Sequence, residues 1–321
     1  MKYKPIIIVA GEPNSIFLEI LFKTIKLKKF KSPLILIASK KIVLLQMKAL
    51  KYKLKINLLE FNGQILTKLN RKKINLINVD FNQTKAFNKI SLKSRKYIEK
   101  SFNIALSLIK LNLSDKLING PISKKYFLKK KFFGVTEYLG EKTNSKNIAM
   151  LIYNKFLSVS PLTTHIPIKS VAKKITKKDI INKILLLNKF YKKNFKLTPK
   201  IAVTGLNPHC ESRSLFDEDK QIIKPSINML KKKNLLIEGP FSADTIFLKK
   251  NRNRFNLIIG MYHDQVLTPL KTIYEYDAIN ITVGLPFIRV SPDHGPNEKM
   301  MGKNLSNPLS LIRSLEFLDN R

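Results

Sequence analysis

A single cysteine, Cys210, stands in 321 residues, which excludes an internal disulfide and fits a reducing compartment. No apolar run approaches the roughly eighteen residues of a membrane-spanning helix, so no membrane association is expected. The opening stretch MKYKPIIIVAGEPNS carries an apolar run only from Ile6 to Ala10. That is shorter than the h-region of a secretory signal, about seven to fifteen residues, and reads as a first β-strand of a cytoplasmic protein. Neither GxGxxG nor GxxxxGKS/T occurs, which leaves a standard Rossmann fingerprint and a P-loop unsupported.

Acidic residues are scarce: 22 Asp and Glu against 60 Lys and Arg give a net charge of +38. Such an excess invites a nucleic-acid partner, because cations gain affinity by releasing counterions from phosphates. Here, however, the excess is nearly all lysine and is spread along the whole chain. Arginine is the side chain whose fork reads phosphates and bases in a bidentate way. There is no arginine-rich tract, zinc-finger spacing or RNA-binding aromatic motif. Loose association with polyanions at low salt is expected; a specific nucleic-acid partner is not.

What is present describes a globular α/β protein. Hydrophobic residues make up 44% of the chain, and its length suits one large or two ordinary domains. Short β-rich runs at Ile6–Ala10, Leu34–Ala38, Lys116–Asn119, Ile148–Tyr153, Ile201–Leu206, Leu257–Met261 and Ala278–Val283 predict strands. Helix-like stretches at Ser15–Lys26, Ser94–Leu111, Lys177–Phe190 and Asp217–Lys232 lie between them. This alternation predicts a largely parallel sheet. Only eleven glycines occur, and many, including Gly11, Gly120, Gly205, Gly260 and Gly284, stand where a strand gives way to a loop. Open α/β sheets bind ligands beyond the carboxyl ends of their strands. All four histidines, His165, His209, His263 and His294, follow predicted strands or sit in loops rich in Pro and Gly. One such histidine is ordinarily a core residue. Four of four favour a common site, and neutral imidazoles are frequent ligands of divalent metals.

The segments NGPISK (119–124), TEYL (136–139), TTHIP (163–167), GLNPH (205–209), GPFSADTIF (239–247), YHDQVLTPLK (262–271) and NITVGLPFIRVSPDHG (280–295) closely resemble the 4-hydroxythreonine-4-phosphate dehydrogenases of pyridoxal phosphate synthesis. The motifs run in that family's order from Asn119 onward. The resemblance implies a two-domain isocitrate/isopropylmalate dehydrogenase-like fold, with the active site in the interdomain cleft and shared across a homodimer. The expected subdomains are approximately 1–118 plus 270–321, and 119–269. It implies NAD- and metal-dependent oxidation of 4-phosphooxy-threonine with loss of carbon dioxide, using NAD or NADP and a zinc, magnesium or cobalt ion. On this resemblance His165, His209 and His263 bind the metal. Thr136, Lys271, Asn280 and Arg289 match substrate-binding positions, with Lys271 and Asp244 as catalytic candidates. Asp264 is an orienter of His263 or a loop cap. Asp293, His294 and Gly295 are expected at the cofactor.

Two departures bear on substrate and cofactor. The family's usual GHTE reads GVTE here, so Val135 replaces a substrate-binding histidine with a side chain that forms no hydrogen bond. The usual GEPAGIGPE turn reads GEPNSIFLE, so Ser15 and Phe17 take the place of glycines. A smaller change is NPHCESRS, which lacks the glycines usual after the histidine. Fold and metal site are therefore expected to persist while the substrate and cofactor pockets change. Two alternatives stand: a dehydrogenase of another phosphorylated hydroxy acid or cyclic diol acid, and a family member without turnover.

Overall fold

The computed structural model describes residues 3–61, 65–128, 132, 134–212 and 214–321. Met1 and Lys2 of the opening stretch, and Arg213 in the loop after His209, lie outside the described residues. Two compact units are formed, one from Met1–Leu139 with Pro286–Arg321 and the other from Gly140–Leu285. Among the described residues the strands are β1 (Ile6–Val9), β2 (Leu34–Ala38), β3 (Ile56–Leu59), β4 (Ile74–Asn78), β5 (Lys116–Asn119), β6 (Ala149–Tyr153), β7 (Ser158–Pro161), β8 (Ile201–Thr204), β9 (Ile237–Phe241), β10 (Leu257–Gly260), β11 (Ile279–Val283) and β12 (Ile288–Pro292). All seven strands expected from the sequence are present.

In the first unit the strands lie in the order β3-β4-β2-β1-β5-β12, every pair parallel. Parallel strands are covered on both faces and so read as continuous apolar runs. In β1 all of Ile6, Ile7, Ile8 and Val9 are fully buried. The helix Arg95–Lys110 packs against β1 and β2. It buries Tyr97, Ile98, Ser101, Phe102, Ala105 and Leu108, the i, i+3, i+4 stripe of an amphipathic helix.

The second unit orders its strands β11-β6-β7-β10-β8-β9, with β11-β6 and β6-β7 antiparallel and the rest parallel. The helix Lys177–Phe195 starts at Thr176, whose hydroxyl accepts a hydrogen bond from the Asp179 amide at 3.1 Å. It turns Ile180, Ile184, Leu187 and Tyr191 inward and leaves Lys177, Lys178, Lys189, Lys192 and Lys193 exposed. Among the described residues no helix is long and apolar enough to cross a membrane.

Candidate active site

In the second unit the carboxyl ends of three adjacent parallel strands, β7, β10 and β8, each lead into a histidine. His165 follows β7, His263 follows β10 and His209 follows β8. Side chains stitch the three exits together around Met261. The Thr163 amide and hydroxyl both donate to the Met261 carbonyl, at 3.1 and 2.7 Å. Gln265 Oε1 accepts from the Met261 amide at 2.7 Å and from the Thr204 hydroxyl at 2.8 Å, while its Nε2 donates to the Gly205 carbonyl at 2.8 Å. Asp219, buried under the loop after β8, accepts from the Leu206 and Asn207 amides at 2.8 and 3.0 Å. Gly205 has no room for a side chain, because a Cβ would come within 2.6 Å of that carboxylate.

His165 and His263 are brought together, their ring centroids 5.7 Å apart. His263 Nδ1 lies 2.7 Å from Asp264 Oδ1, which leaves Nε2 free to bind elsewhere. A carboxylate on the far nitrogen is how metal-binding imidazoles are commonly oriented. Of the two roles considered for Asp264, this contact favours the orienter. His209 sits in a turn at φ 57°, exposed to solvent. Among the described residues no three His, Cys, Asp or Glu side chains converge closely enough to hold a metal ion. Two imidazoles therefore face one another and the third stands on the neighbouring strand end. Imidazole nitrogens as a class suit divalent ions such as zinc or cobalt better than magnesium.

The other second-unit candidates are more dispersed. Asp244 is exposed in the first turn after β9. Lys271 is exposed near the end of the helix His263–Tyr274. Eight residues of helix place it about 12 Å along the axis from His263. Asn280, on β11, has its Oδ1 buried without a hydrogen-bond partner among the described residues. Cys210 lies 3.9 Å from the Ser242 hydroxyl, and burial pushes its thiol pKa up.

In the first unit Arg289 is almost fully buried on β12. Its Nε donates to Asn119 Oδ1 at 2.7 Å, and one terminal nitrogen reaches the Thr136 hydroxyl at 3.5 Å. Burial lowers its pKa to about 10, with Glu137 acting in the opposite sense, so the guanidinium stays charged. A buried oxygen of Glu137, Oε2, has no hydrogen-bond partner among the described residues. Thr136 and Arg289 are thus in contact, and Val135 begins the helix Val135–Lys142 beside them. Asn119 was missed as a site residue, although it ends a strand in the NGPISK segment.

After β12, the Asp293 amide donates to Ser310 Oγ at 2.8 Å and His294 Nδ1 lies 3.0 Å from the Gly295 carbonyl. Burial lowers the His294 pKa, and the ring stacks on Phe17 at 6.3 Å between centroids. Phe17 is wholly buried, and a Cβ on Gly120 would meet its ring at 2.7 Å. Ser15 is also buried, its hydroxyl donating to the Glu12 carbonyl at 2.7 Å. The side chains that replace two family glycines are therefore turned into the protein. Gly11, retained, needs its freedom: φ is +76° and a Cβ would lie 2.4 Å from the Pro121 carbonyl.

Residues 29–318 match the family described as pyridoxal phosphate biosynthetic protein PdxA. The chain belongs to that family. It is 37% identical to a 4-hydroxythreonine-4-phosphate dehydrogenase from Sulfurihydrogenibium sp. (strain YO3AOP1), over 97% of this chain and 96% of the relative. A 4-hydroxythreonine-4-phosphate dehydrogenase from Klebsiella pneumoniae of known structure superposes with a TM-score of 0.85 at 25% identity, covering 98% of this chain and 97% of that one. A D-threonate 4-phosphate dehydrogenase from Pectobacterium atrosepticum is 36% identical over 57% of each chain. The α/β architecture with a largely parallel sheet expected from the sequence is that of the PdxA structures, and this member is an oxidoreductase.

Proposed function

We propose that this PdxA-family member oxidises 4-phosphooxy-L-threonine with NAD, with decarboxylation, in pyridoxal phosphate biosynthesis, as a cytoplasmic homodimer with a shared active site. The near full-length similarity to a relative of that name carries the reading. His165, His209 and His263 would hold the divalent metal, their imidazoles being the right donors on adjoining strand ends. When bound, metal and dinucleotide supply polarisation of the reacting oxygen and a hydride acceptor, respectively.

The remaining tasks fall to the chain's own side chains. Arg289 and Thr136 present a guanidinium and a hydroxyl suited to the substrate's phosphate or carboxylate. The guanidinium is pre-oriented by Asn119, so little rotamer freedom is lost on binding. The buried Oδ1 of Asn280 offers an acceptor to a substrate donor. Lys271 supplies a further cation. Asp244 is a positional candidate for proton transfer. Asp293, His294 and Gly295 are assigned to the dinucleotide.

The substrate's C3–H leaves as hydride and its hydroxyl proton passes to a base. The C1–C2 bond of the resulting β-keto acid then breaks, releasing carbon dioxide, and the enolate takes up a proton. Metal-supplemented protein with NAD and 4-phosphooxy-threonine should produce NADH. No NADH with any of zinc, cobalt or magnesium removes this reading.

A second reading, D-threonate 4-phosphate or a similar phosphorylated hydroxy acid as substrate, is favoured by Val135 and by the Pectobacterium relative. The two substrates differ at C2, amine against hydroxyl. Comparing kcat/KM on both decides between them.

A further inference from the structure

We propose that the first unit carries a second binding site, for a small amphiphilic anion, in a cavity at the amino-end edge of its sheet. The cavity measures about 420 Å³ and lies where the helix Phe17–Leu27 crosses the starts of β2 and β4. Its floor is apolar, formed by Ile8, Leu21, Ile25, Leu34, Leu36 and Ile74. Its rim is cationic, formed by Lys28, Lys29, Lys55, Arg71, Lys72 and Lys73. Asn119, which the Arg289 side chain reaches, and the loop after β1 belong to the opposite, carboxyl-end half of the same unit.

The lysine-rich composition does not account for this rim. Six of the sixteen lining residues are cationic and none is acidic, twice the chain-wide share of 60 in 321. Lys28 has a partner, with its Nζ 2.7 Å from Glu316 Oε1. Lys29, Lys55, Arg71, Lys72 and Lys73 make no ion pair among the described residues. Cations set around low-dielectric walls raise one another's energy, and the walls focus the field into the cavity. An anion held there relieves that repulsion.

The floor makes a different demand, because apolar walls facing a void lose the dispersion contacts a packed core would give them. One molecule with a hydrocarbon body and an anionic head answers both. The volume falls within the range of small-molecule sites, about 300–1,000 Å³. A second copy of this chain, at +38, would add to the repulsion. A nucleic-acid backbone has nothing to bury on the floor.

The test is calorimetric titration of the full chain with octyl phosphate below its micelle concentration, with inorganic phosphate and octanol as separate arms. Octyl phosphate should bind once per chain, and each half-ligand about tenfold or more weaker. The double variant Arg71→Glu/Lys73→Glu should weaken octyl phosphate about tenfold, and Ile25→Trp, which fills the floor, should do the same. Reversing two exposed lysines of the other unit, Lys177→Glu/Lys178→Glu, should leave affinity within about twofold. Equal weakening by both charge reversals would show bulk attraction only and overturn the site, as would multiple equivalent binding events or no binding at all. Inorganic phosphate binding as tightly as octyl phosphate would also overturn it. The charge variants alter exposed residues, so the test survives if Ile25→Trp fails to fold.

Discussion

Gln265 and Gly205 are joined by a hydrogen bond of 2.8 Å from the Gln265 amide nitrogen to the Gly205 carbonyl, which ties the exit of β10 to the exit of β8. The same side chain's oxygen takes the Met261 amide and the Thr204 hydroxyl. One glutamine, with no metal-binding role of its own, therefore fixes the spacing between the strand ends that carry His263 and His209.

Gln265→Leu should weaken divalent-metal affinity about ten- to a hundredfold, the usual cost of losing an outer partner of a metal site. It also leaves buried polar groups unsatisfied, at about 1–3 kcal/mol each. Chelator competition with zinc and an unfolding curve measure the two effects. Unchanged zinc affinity would show that the strand exits keep their spacing without it.

Arg289→Lys keeps the charge and loses the fork. Lysine has one nitrogen to share between Asn119 and Thr136, where arginine contacts both. A loss of about 1.5–3 kcal/mol in binding, roughly ten- to a hundredfold in kcat/KM, is expected, mainly through KM. Steady-state kinetics on phosphorylated and unphosphorylated substrate check it. An equal loss on both would place Arg289 away from the phosphate.

Much of the first unit was legible because its central strands are uninterrupted apolar runs. The strands that escaped notice lack that signal. β4 reads Ile-Asn-Leu-Ile-Asn, and its Asn75 is fully buried. The Asn75 amide donates to Leu34 and Asn70 carbonyls and accepts from Asn57 and Asn70, partners no local pattern displays. β7 reads Ser-Val-Ser-Pro and is a strand only through its neighbours. The histidines were legible by position, at strand exits. Gln265 and Asp219 were not, because each acts through hydrogen bonds to a different segment of chain.

Glu12 offers a pH signature. Burial raises its pKa from 4.5 to about 7, against lowering hydrogen bonds from Ser94 and the Asn14 amide, with Glu298 adding repulsion. The folded state thus holds this proton more tightly than the unfolded chain does. The stability it contributes is fully present below about pH 4.5 and is lost as pH rises through about 7, on the order of 3 kcal/mol at most. Glu12→Gln should remove that dependence, so the variant gains on wild type between pH 5 and 8. Urea midpoints at the two pH values measure it, and a constant difference would place the titration elsewhere.

Val135 gives a test of substrate. It opens the helix Val135–Lys142 and precedes Thr136, whose hydroxyl contacts Arg289, the proposed anion-binding group. Valine offers no hydrogen bond where the family usually has an imidazole. One hydrogen bond to a charged substrate group is worth about 1.5–3 kcal/mol, roughly ten- to a hundredfold, which a working enzyme can survive. If 4-phosphooxy-threonine is the substrate, Val135→His should raise kcat/KM for it by up to that factor. If D-threonate 4-phosphate or another hydroxy acid is the native substrate, the same change should leave its turnover flat or lower, because an unpaired imidazole would occupy an apolar subsite. Measuring wild type and variant on both compounds separates the cases. Fast wild-type turnover of 4-phosphooxy-threonine that the histidine does not improve would mean another group already fills the role, and Val135 would then carry no information about substrate.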